Sequence, residues 1–275
     1  MAIQGVDRPV FLAQLADRAF SHRLASAGFN RPTIHAKTLQ PRGTAPGSGM
    51  IELKSVNKIF RTATVETYAL RGFDLKIDAG EFVAITGHSG SGKTTLLNVA
   101  GLLEEFDTGD YRLAGEDVKT LSDKQRSHIR NRKIGFVFQG FNLIPNLNIY
   151  DNVDAPLHYR RMPAAERHKR VTDSIEKVGL TSRMRHFPAQ LSGGQQQRAA
   201  IARAIGGDPH VILADEPTGN LDTIMSSQIM DLLQSINASG TTILMVTHNN
   251  ELAHRANRTV HMVDGRVAVD QTDRS

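Results

Sequence analysis

The clearest chemistry in the sequence lies in one glycine-rich run, Gly87-His88-Ser89-Gly90-Ser91-Gly92-Lys93-Thr94. Glycines allow the backbone to wrap around phosphate oxygens, with successive N–H groups pointing inward. The spacing predicts that Lys93 reaches the β- and γ-phosphates and that the Thr94 hydroxyl ligates Mg²⁺. An apolar run at 82–86 precedes the loop and a helical pattern follows it, so a helix N-terminus adds positive charge there. The sequence therefore predicts a nucleoside triphosphate site, although the loop alone leaves the class of protein open.

Two adjacent carboxylates end a second apolar run, Val211-Ile212-Leu213-Ala214-Asp215-Glu216. An Asp at such a strand end can hold Mg²⁺ beside the phosphate loop. Glu216, one residue later, can polarise a water that attacks the γ-phosphate. Adjacent acids at a strand end also occur as solvated groups or as caps of the next helix. On their own, the two carboxylates leave both interpretations open.

A third motif, Leu191-Ser192-Gly193-Gly194-Gln195, opens a predicted helix whose N-terminus is a second anion-binding end. Leu-Ser-Gly-Gly-Gln is the signature of ABC ATPases, and the chain resembles that family over nearly all of residues 50–270. The resemblance implies an ATP hydrolase with ATP and Mg²⁺ as cofactors. It also implies that Ser192, Gly193, Gly194 and Gln195 bind the γ-phosphate held by an opposite subunit, in a homodimer or a heterodimer.

The same resemblance implies three further pieces of the site. Gln139, after the apolar run 134–138, matches the residue that contacts Mg²⁺ and the attacking water. His248, after the run 243–247, matches the switch histidine at the γ-phosphate, and Gly219-Asn220-Leu221-Asp222 resembles the loop that crosses the dimer interface. The implied catalytic residues are Glu216, His248 and Gln139, and the implied Mg²⁺ ligands are Thr94, Gln139 and Asp215.

Adenine needs a flat partner on which to stack. Phe60 lies where the family places such an aromatic residue, and Tyr68 is the rival candidate. Two positions depart from the family pattern: His88 replaces a common Pro, and Asn249 stands where an Asp often follows the switch histidine. The complete expected ATP-binding set within one chain is Phe60, Gly87, His88, Ser89, Gly90, Ser91, Gly92, Lys93, Thr94 and Thr95.

Strand-like runs alternate with helical patterns along the chain, which predicts an α/β fold with a largely parallel sheet. Strands are expected at 51–56, 73–77, 81–86, 134–138, 211–215, 242–246 and 259–263. Helices are expected near 92–101, 164–179, 193–206, 223–238 and 249–255. We expect residues 50–275 to form one ATP-binding domain with a helical subdomain inserted at about 140–190. The resemblance specifies the fold as a P-loop NTPase core with an added N-terminal antiparallel β subdomain.

Residues 1–49 differ in composition from the rest and end in a turn-rich run, 41–49. We expect them to be a disordered leader or to precede a true start at Met50. They carry six Lys or Arg against two acids, which leaves 27 basic and 26 acidic groups in the remainder. Because that remainder is electrically balanced, the net charge of +5 does not indicate a nucleic-acid partner.

The sequence has no cysteine, which excludes disulfides and thiolate metal sites, and no run of about 20 apolar residues that could span a membrane. The sequences of residues 135–145 and 213–222 resemble those of the MacB/LolD/FtsE group of ABC ATPases. That resemblance implies a separate permease of the FtsX/MacB kind and a peripheral place at the cytoplasmic face of the bacterial inner membrane. An FtsE-like regulatory ATPase that transports nothing is the alternative. Cargo identity is not encoded in this chain.

One short stretch holds five apolar residues that could receive the permease: Phe141, Leu143, Ile144, Leu147 and Ile149. An apolar set within one short loop-rich stretch can form a docking surface. It can equally pack the core of the helical subdomain, and the sequence does not separate the two.

Overall fold

The computed structural model describes residues 49–272. The described chain divides into two compact units: residues 49–140 with 207–272, hereafter the sheet unit, and Phe141–Gly206, hereafter the helical unit. The leader predicted at 1–49 lies outside the described residues except for Gly49, which begins the first strand.

In chain order the strands are β1 (Gly49–Arg61), β2 (Glu66–Asp78), β3 (Phe82–Thr86), β4 (Thr108–Leu113), β5 (Glu116–Asp117), β6 (Ile134–Phe138), β7 (Val211–Asp215), β8 (Thr242–Val246), β9 (Arg258–Val263) and β10 (Arg266–Thr272). The helices are α1 (Lys93–Ala100), α2 (Asp123–Lys133), α3 (Ile149–His158), α4 (Ala164–Lys177), α5 (Gly193–Ile205), α6 (Thr223–Ala238) and α7 (Asn250–Ala253). The predicted α/β fold is confirmed.

The central sheet of the sheet unit has the order β10-β9-β3-β8-β7-β6, and every neighbouring pair except β9 with β10 is parallel. Strands β3 and β8 are buried along their whole length, as their sequences, apolar except for Thr86 and Thr242, predict for a sheet covered on both faces. Because Phe138 pairs with Asp215 and Asp215 with Val246, the carboxyl ends of β6, β7 and β8 reach one edge together. The segments that follow these strands therefore converge there, which is where ligands bind in such sheets.

A second sheet in the same unit has the order β2-β1-β4-β5 and is antiparallel throughout. It is the N-terminal β subdomain that the resemblance implied. Strands β1 and β2 are each 13 residues long and outrun the predicted 51–56 and 73–77, because their far ends are largely exposed and carry no apolar alternation. Strand β4 was missed because only Tyr111 and Leu113 of its residues are buried.

Two helices were not predicted. Only Ile129 of the 11 residues of α2 is buried, so no apolar stripe marks this helix. Its local signal is the capping box in which Ser122 and Gln125 bond each other's backbone. In α3 the interior Pro156 argues against a helix.

The helical unit contains α3, α4 and α5, with single 3₁₀ turns at Thr181–Arg183 and Pro188–Gln190. The three helices pack against one another. The unit continues to Gly206, past the predicted boundary near 190, since α5 belongs with the other two helices.

The apolar stretch after residue 140 has a mixed role. Leu147 and Ile149 are 4% and 0% exposed and belong to the core, whereas Phe141, Leu143 and Ile144 are only half-buried. The buried Asn152 side chain holds the loop by donating to the carbonyls of Ile144, Leu147 and Asn148 and by accepting from the Ile144 N–H. The five residues therefore do not form one exposed apolar surface.

Candidate active site

The glycine-rich loop joins β3 to α1, and its backbone requires glycine at three positions. Gly87, Gly90 and Gly92 have φ of 151°, 79° and 100°, values that side chains rarely allow. Gly92 is the N-cap of α1 and supplies no side-chain bond to the helix. The first N–H groups of a helix have no partner within it, so this end is suited to hold an anion.

Lys93, the first residue of α1, points back into the loop. It is 8% exposed, and its Nζ donates to the carbonyls of Gly87 and His88 at 2.8 Å each. Burial lowers the pKa of Lys93, while the charges of Glu216 and Asp215 act in the opposite direction. The amine is therefore held inside the loop and faced by two carboxylates.

Asp215 ends β7, and Glu216 follows it in a left-handed conformation with φ 47°. The Glu216 N–H donates to the Val246 carbonyl at 2.9 Å, which ties this turn to the end of β8. Burial raises the pKa of Asp215, Glu216 raises it further, and Lys93 lowers it. His248 Nδ1 lies 2.8 Å from Glu216 Oε1, with the glutamate largely buried and the histidine exposed. The predicted base and the predicted switch histidine are thus direct partners.

Gln139, directly after β6, bonds to the loop predicted to cross the dimer interface. Its Nε2 donates to Asn220 Oδ1 at 3.2 Å, and Asn220 Nδ2 donates to the Gln139 carbonyl at 2.9 Å. A Cβ placed on Gly219 would lie 2.7 Å from Gln139 Nε2. The two motifs are therefore in close contact within the sheet unit.

These elements surround a cleft of about 480 Å³. Its lining is Phe60, Thr67, Tyr68, Ala69, Ser89, Gly90, Gly92, Lys93, Thr94, Thr95, Asp215, Glu216, Val246 and His248. The predicted residues Gly87, His88, Ser91 and Gln139 do not line it. Thr67, Ala69 and Val246 line it without having been predicted. Val246 could have been found as the end of a strand beside the site, whereas nothing in the sequence marks Ala69.

Both candidate aromatic residues lie at the cleft. Phe60 and Tyr68 are 42% and 43% exposed, on β1 and β2. A cation lies over each ring, with Lys58 Nζ 5.0 Å from the centre of Phe60 and Arg71 5.4 Å from that of Tyr68. Either ring is open to a flat ligand, so the preference for Phe60 stays a prediction.

The predicted Mg²⁺ ligands offer a hydroxyl, a carboxylate and an amide oxygen, which are the hard donors that this ion prefers. Thr94 and Asp215 line one cleft, and Gln139 follows the strand next to β7. Among residues 49–272 no group of three His, Cys, Asp or Glu side chains is placed to hold a metal. The donor set therefore fits an ion that also takes oxygens from a phosphate and from water.

In the helical unit, Ser192 caps α5. Its Oγ accepts from the Gln195 N–H at 3.4 Å, and the Gln195 side chain accepts from the Ser192 N–H at 3.1 Å. Ser192 is exposed and Gly194 is buried. The signature thus forms a closed capping box at a helix start.

A glycine loop lies between a buried strand and a helix, its lysine points inward, and another strand of the same sheet ends in Asp215 with Glu216 directly after it. These features define a P-loop ATPase of the α/β class. The family model described as ABC transporter matches residues 70–219. The chain belongs to the ABC transporter ATP-binding proteins and is the ATP-hydrolysing subunit of a MacB-like transporter.

Three relatives illustrate the match. The uncharacterized ABC transporter ATP-binding protein YknY of Bacillus subtilis (strain 168) is 49% identical over 79% of this chain and 95% of its own length. The macrolide export ATP-binding/permease protein MacB of Azoarcus sp. (strain BH72) is 44% identical over 82% of this chain, which spans only 35% of that protein. The dimeric post-hydrolysis structure of the ATP-binding cassette MJ0796, bound to ADP and Pi, is 41% identical with a TM-score of 0.76, over 82% of this chain and all of that one.

The named relatives do not favour the regulatory alternative. Across residues 49–272, no helix is both long and apolar enough to cross a membrane.

Proposed function

We propose that the cleft of the sheet unit binds Mg·ATP and that two chains close around two nucleotides to drive a separate membrane permease. One observation carries the proposal: Lys93, Asp215, Glu216 and His248 line the same cleft as the phosphate loop. In this arrangement the α1 N-terminus and Lys93 bind the phosphates. Phe60, with Tyr68 as the rival, stacks on adenine.

The proposed hydrolysis depends on Glu216. Its carboxylate accepts the proton of the attacking water, and its bond to His248 fixes the direction in which it points. Thr94, Asp215 and Gln139 would hold Mg²⁺, which would neutralise the negative charge that develops on the phosphate oxygens. Because Gln139 also bonds to Asn220, the residue that would hold the ion is joined to the loop assigned to the subunit interface.

The proposed dimer uses Ser192, Gly193, Gly194 and Gln195 of each chain on the nucleotide of its partner. Two observations support it: the capped start of α5, where Ser192 is exposed, and the dimeric assembly of the MJ0796 cassette. The chain attaches at the cytoplasmic face of the inner membrane through its permease, and the exposed sides of Phe141, Leu143 and Ile144 are the proposed contact.

Glu216→Gln tests the mechanism, since the amide keeps the shape of the side chain and cannot accept the proton. With Mg·ATP, size-exclusion chromatography with light scattering should give the mass of two 30.2 kDa chains for the variant. A separate assay should show that ATP turnover is lost. Glu176→Gln, at an exposed position of α4, is the matched control and should behave as the parent chain. A Glu216→Gln protein that stays monomeric with ATP would overturn the proposed dimer.

A further inference from the structure

We propose that the turn between β9 and β10, Asp264–Gly265, positions the phosphate loop through the main chain of Gly265. The Gly265 N–H donates to the Ser91 carbonyl at 3.0 Å, and the Gly265 carbonyl accepts from the Arg71 N–H at 2.9 Å. Gly265 therefore bridges the loop and β2 with both of its backbone groups. Neither bond involves a residue of the loop's own flanking elements, β3 and α1.

Around Gly265 the main chains of neighbouring segments lie so close together that added side-chain atoms would clash. A Cβ on Gly265 would lie 2.8 Å from the Ala69 carbonyl oxygen, and one on Gly92 would lie 2.3 Å from that same oxygen. A Cβ on Gly87 would lie 2.3 Å from the Met262 carbonyl oxygen. The main chains of the loop, β2, β9 and the turn thus lie in close contact, with the Met262 side chain beside Gly92, so a shift of the turn is transmitted directly.

The bond to Ser91 also determines where a neighbouring donor points. The Ser91 carbonyl and the Gly92 N–H belong to one planar trans peptide, so they point in opposite directions. By holding the carbonyl on the side of the turn, Gly265 directs the Gly92 N–H to the other side. Donors that are oriented in advance bind an anion without first having to be ordered. The turn therefore increases the affinity of the loop for nucleotide.

Side chains contribute little to this contact. His88 Nε2 lies 3.7 Å from Asp264 Oδ1, but the two side chains are 56% and 73% exposed. Water screens contacts between side chains as exposed as these, so they contribute little. Asp264→Asn, which keeps a residue tolerant of the local φ of 45°, should therefore leave nucleotide affinity within about twofold of the parent.

The chain contains a matched control turn. Ala114 and Gly115, between β4 and β5, have φ of 50° and 78°, and Asp264 and Gly265 have 45° and 78°. Around Gly115 no atom lies within 4 Å of an added Cβ. Gly115→Ala therefore introduces the same backbone strain as Gly265→Ala without the clash at Ala69 or any bond to the phosphate loop.

The experiment measures the dissociation constant of ADP, which is not consumed, by titration calorimetry. We expect Gly265→Ala to raise it about tenfold, the factor that corresponds to ~1.4 kcal/mol. Gly115→Ala should stay within about twofold of the parent. In turnover assays, Gly265→Ala should raise the KM for ATP more than it lowers kcat. Equal affinities for the two alanine variants, or a loss confined to kcat, would overturn the proposal.

Hydrogen exchange on the unmodified chain gives a second test, which applies even if Gly265→Ala does not fold. ADP should slow exchange at the Gly265 amide together with the amides of the phosphate loop. An unchanged Gly265 amide would overturn the proposal. The inference depends on the assignment of the loop to the phosphates, and Lys93→Ala tests that separately: retained ADP affinity there would refute the assignment itself.

Discussion

Arg203, near the end of α5, holds the segment that follows Gln139 in the sequence. Its guanidinium donates to the carbonyl of Phe141 at 2.8 Å and to that of Asn142. Both residues have left-handed backbones, with φ of 60° and 48°. Burial lowers the pKa of the Arg203 guanidinium to about 10. The group therefore remains protonated at neutral pH.

The magnitude for Arg203→Met follows from these contacts. Hydrogen bonds made by a charged group contribute about 1.5–3 kcal/mol each, so two account for about 3–6 kcal/mol. Two effects offset part of this loss of stability. Methionine removes the cost of burying a charge. It also lets Phe141 and Asn142 leave their left-handed conformations, each of which costs about 1 kcal/mol or more. We expect a net loss of about 2 kcal/mol in the free energy of unfolding. Urea unfolding measures this loss, and hydrogen exchange should rise at residues 141–143.

Arg198→Met is the control, because Arg198 lies on the same helix and donates to the carbonyl of Val178. It should leave exchange at residues 141–143 unchanged whatever its effect on stability. The reasoning is refuted if Arg203→Met unfolds at the same urea concentration as the parent and leaves exchange at 141–143 as it was.

The remaining predictions concern the cleft. Asp215→Asn should stabilise the nucleotide-free chain at pH 7 by about 0.5–2 kcal/mol while abolishing turnover, because burial raises the pKa of this carboxyl and its charge opposes folding. The folded protein holds the Asp215 proton more tightly than the unfolded chain does, so the contribution of this carboxyl to the free energy of unfolding falls as pH rises above 3.8. The advantage of the variant should therefore vanish below that pH, and a constant advantage in thermal melts from pH 3 to 8 would contradict this account. Phe60→Ala should weaken ATP binding by about 1–3 kcal/mol, the usual value of base stacking, and Tyr68→Ala by less; the reverse order in a calorimetric titration would assign adenine to Tyr68.

The parts of the fold that could be predicted are those in which burial leaves a pattern. Strands β3, β7 and β8 are almost wholly apolar, and residues at or just beyond their ends, namely Ser89, Glu216 and Val246, line the cleft. The antiparallel strands and α2 are largely exposed on one side, so their sequences carry little apolar signal. Their presence is determined by pairing and capping instead.

The candidate site was predictable where a side chain performs the chemistry. Lys93, Asp215, Glu216 and His248 were predicted from motifs and line one cleft. Ala69 and Gly265 were not predicted to take part, since their contacts with the loop are made by the backbone. Backbone bonds between residues 174 positions apart, such as that of Gly265 with Ser91, leave no local pattern in a sequence.

The capping box of α5 divides the donors at the start of that helix into two pairs. The N–H groups of Ser192 and Gln195 are engaged by each other's side chains, which stabilises the helix start without any ligand. The N–H groups of Gly193 and Gly194 lie between them in the sequence, on residues without side chains. The start of α5 therefore does not need a bound phosphate to keep its helical structure. In the proposed dimer, the partner subunit and its nucleotide can therefore leave after hydrolysis while the start of α5 keeps the structure to which a partner returns.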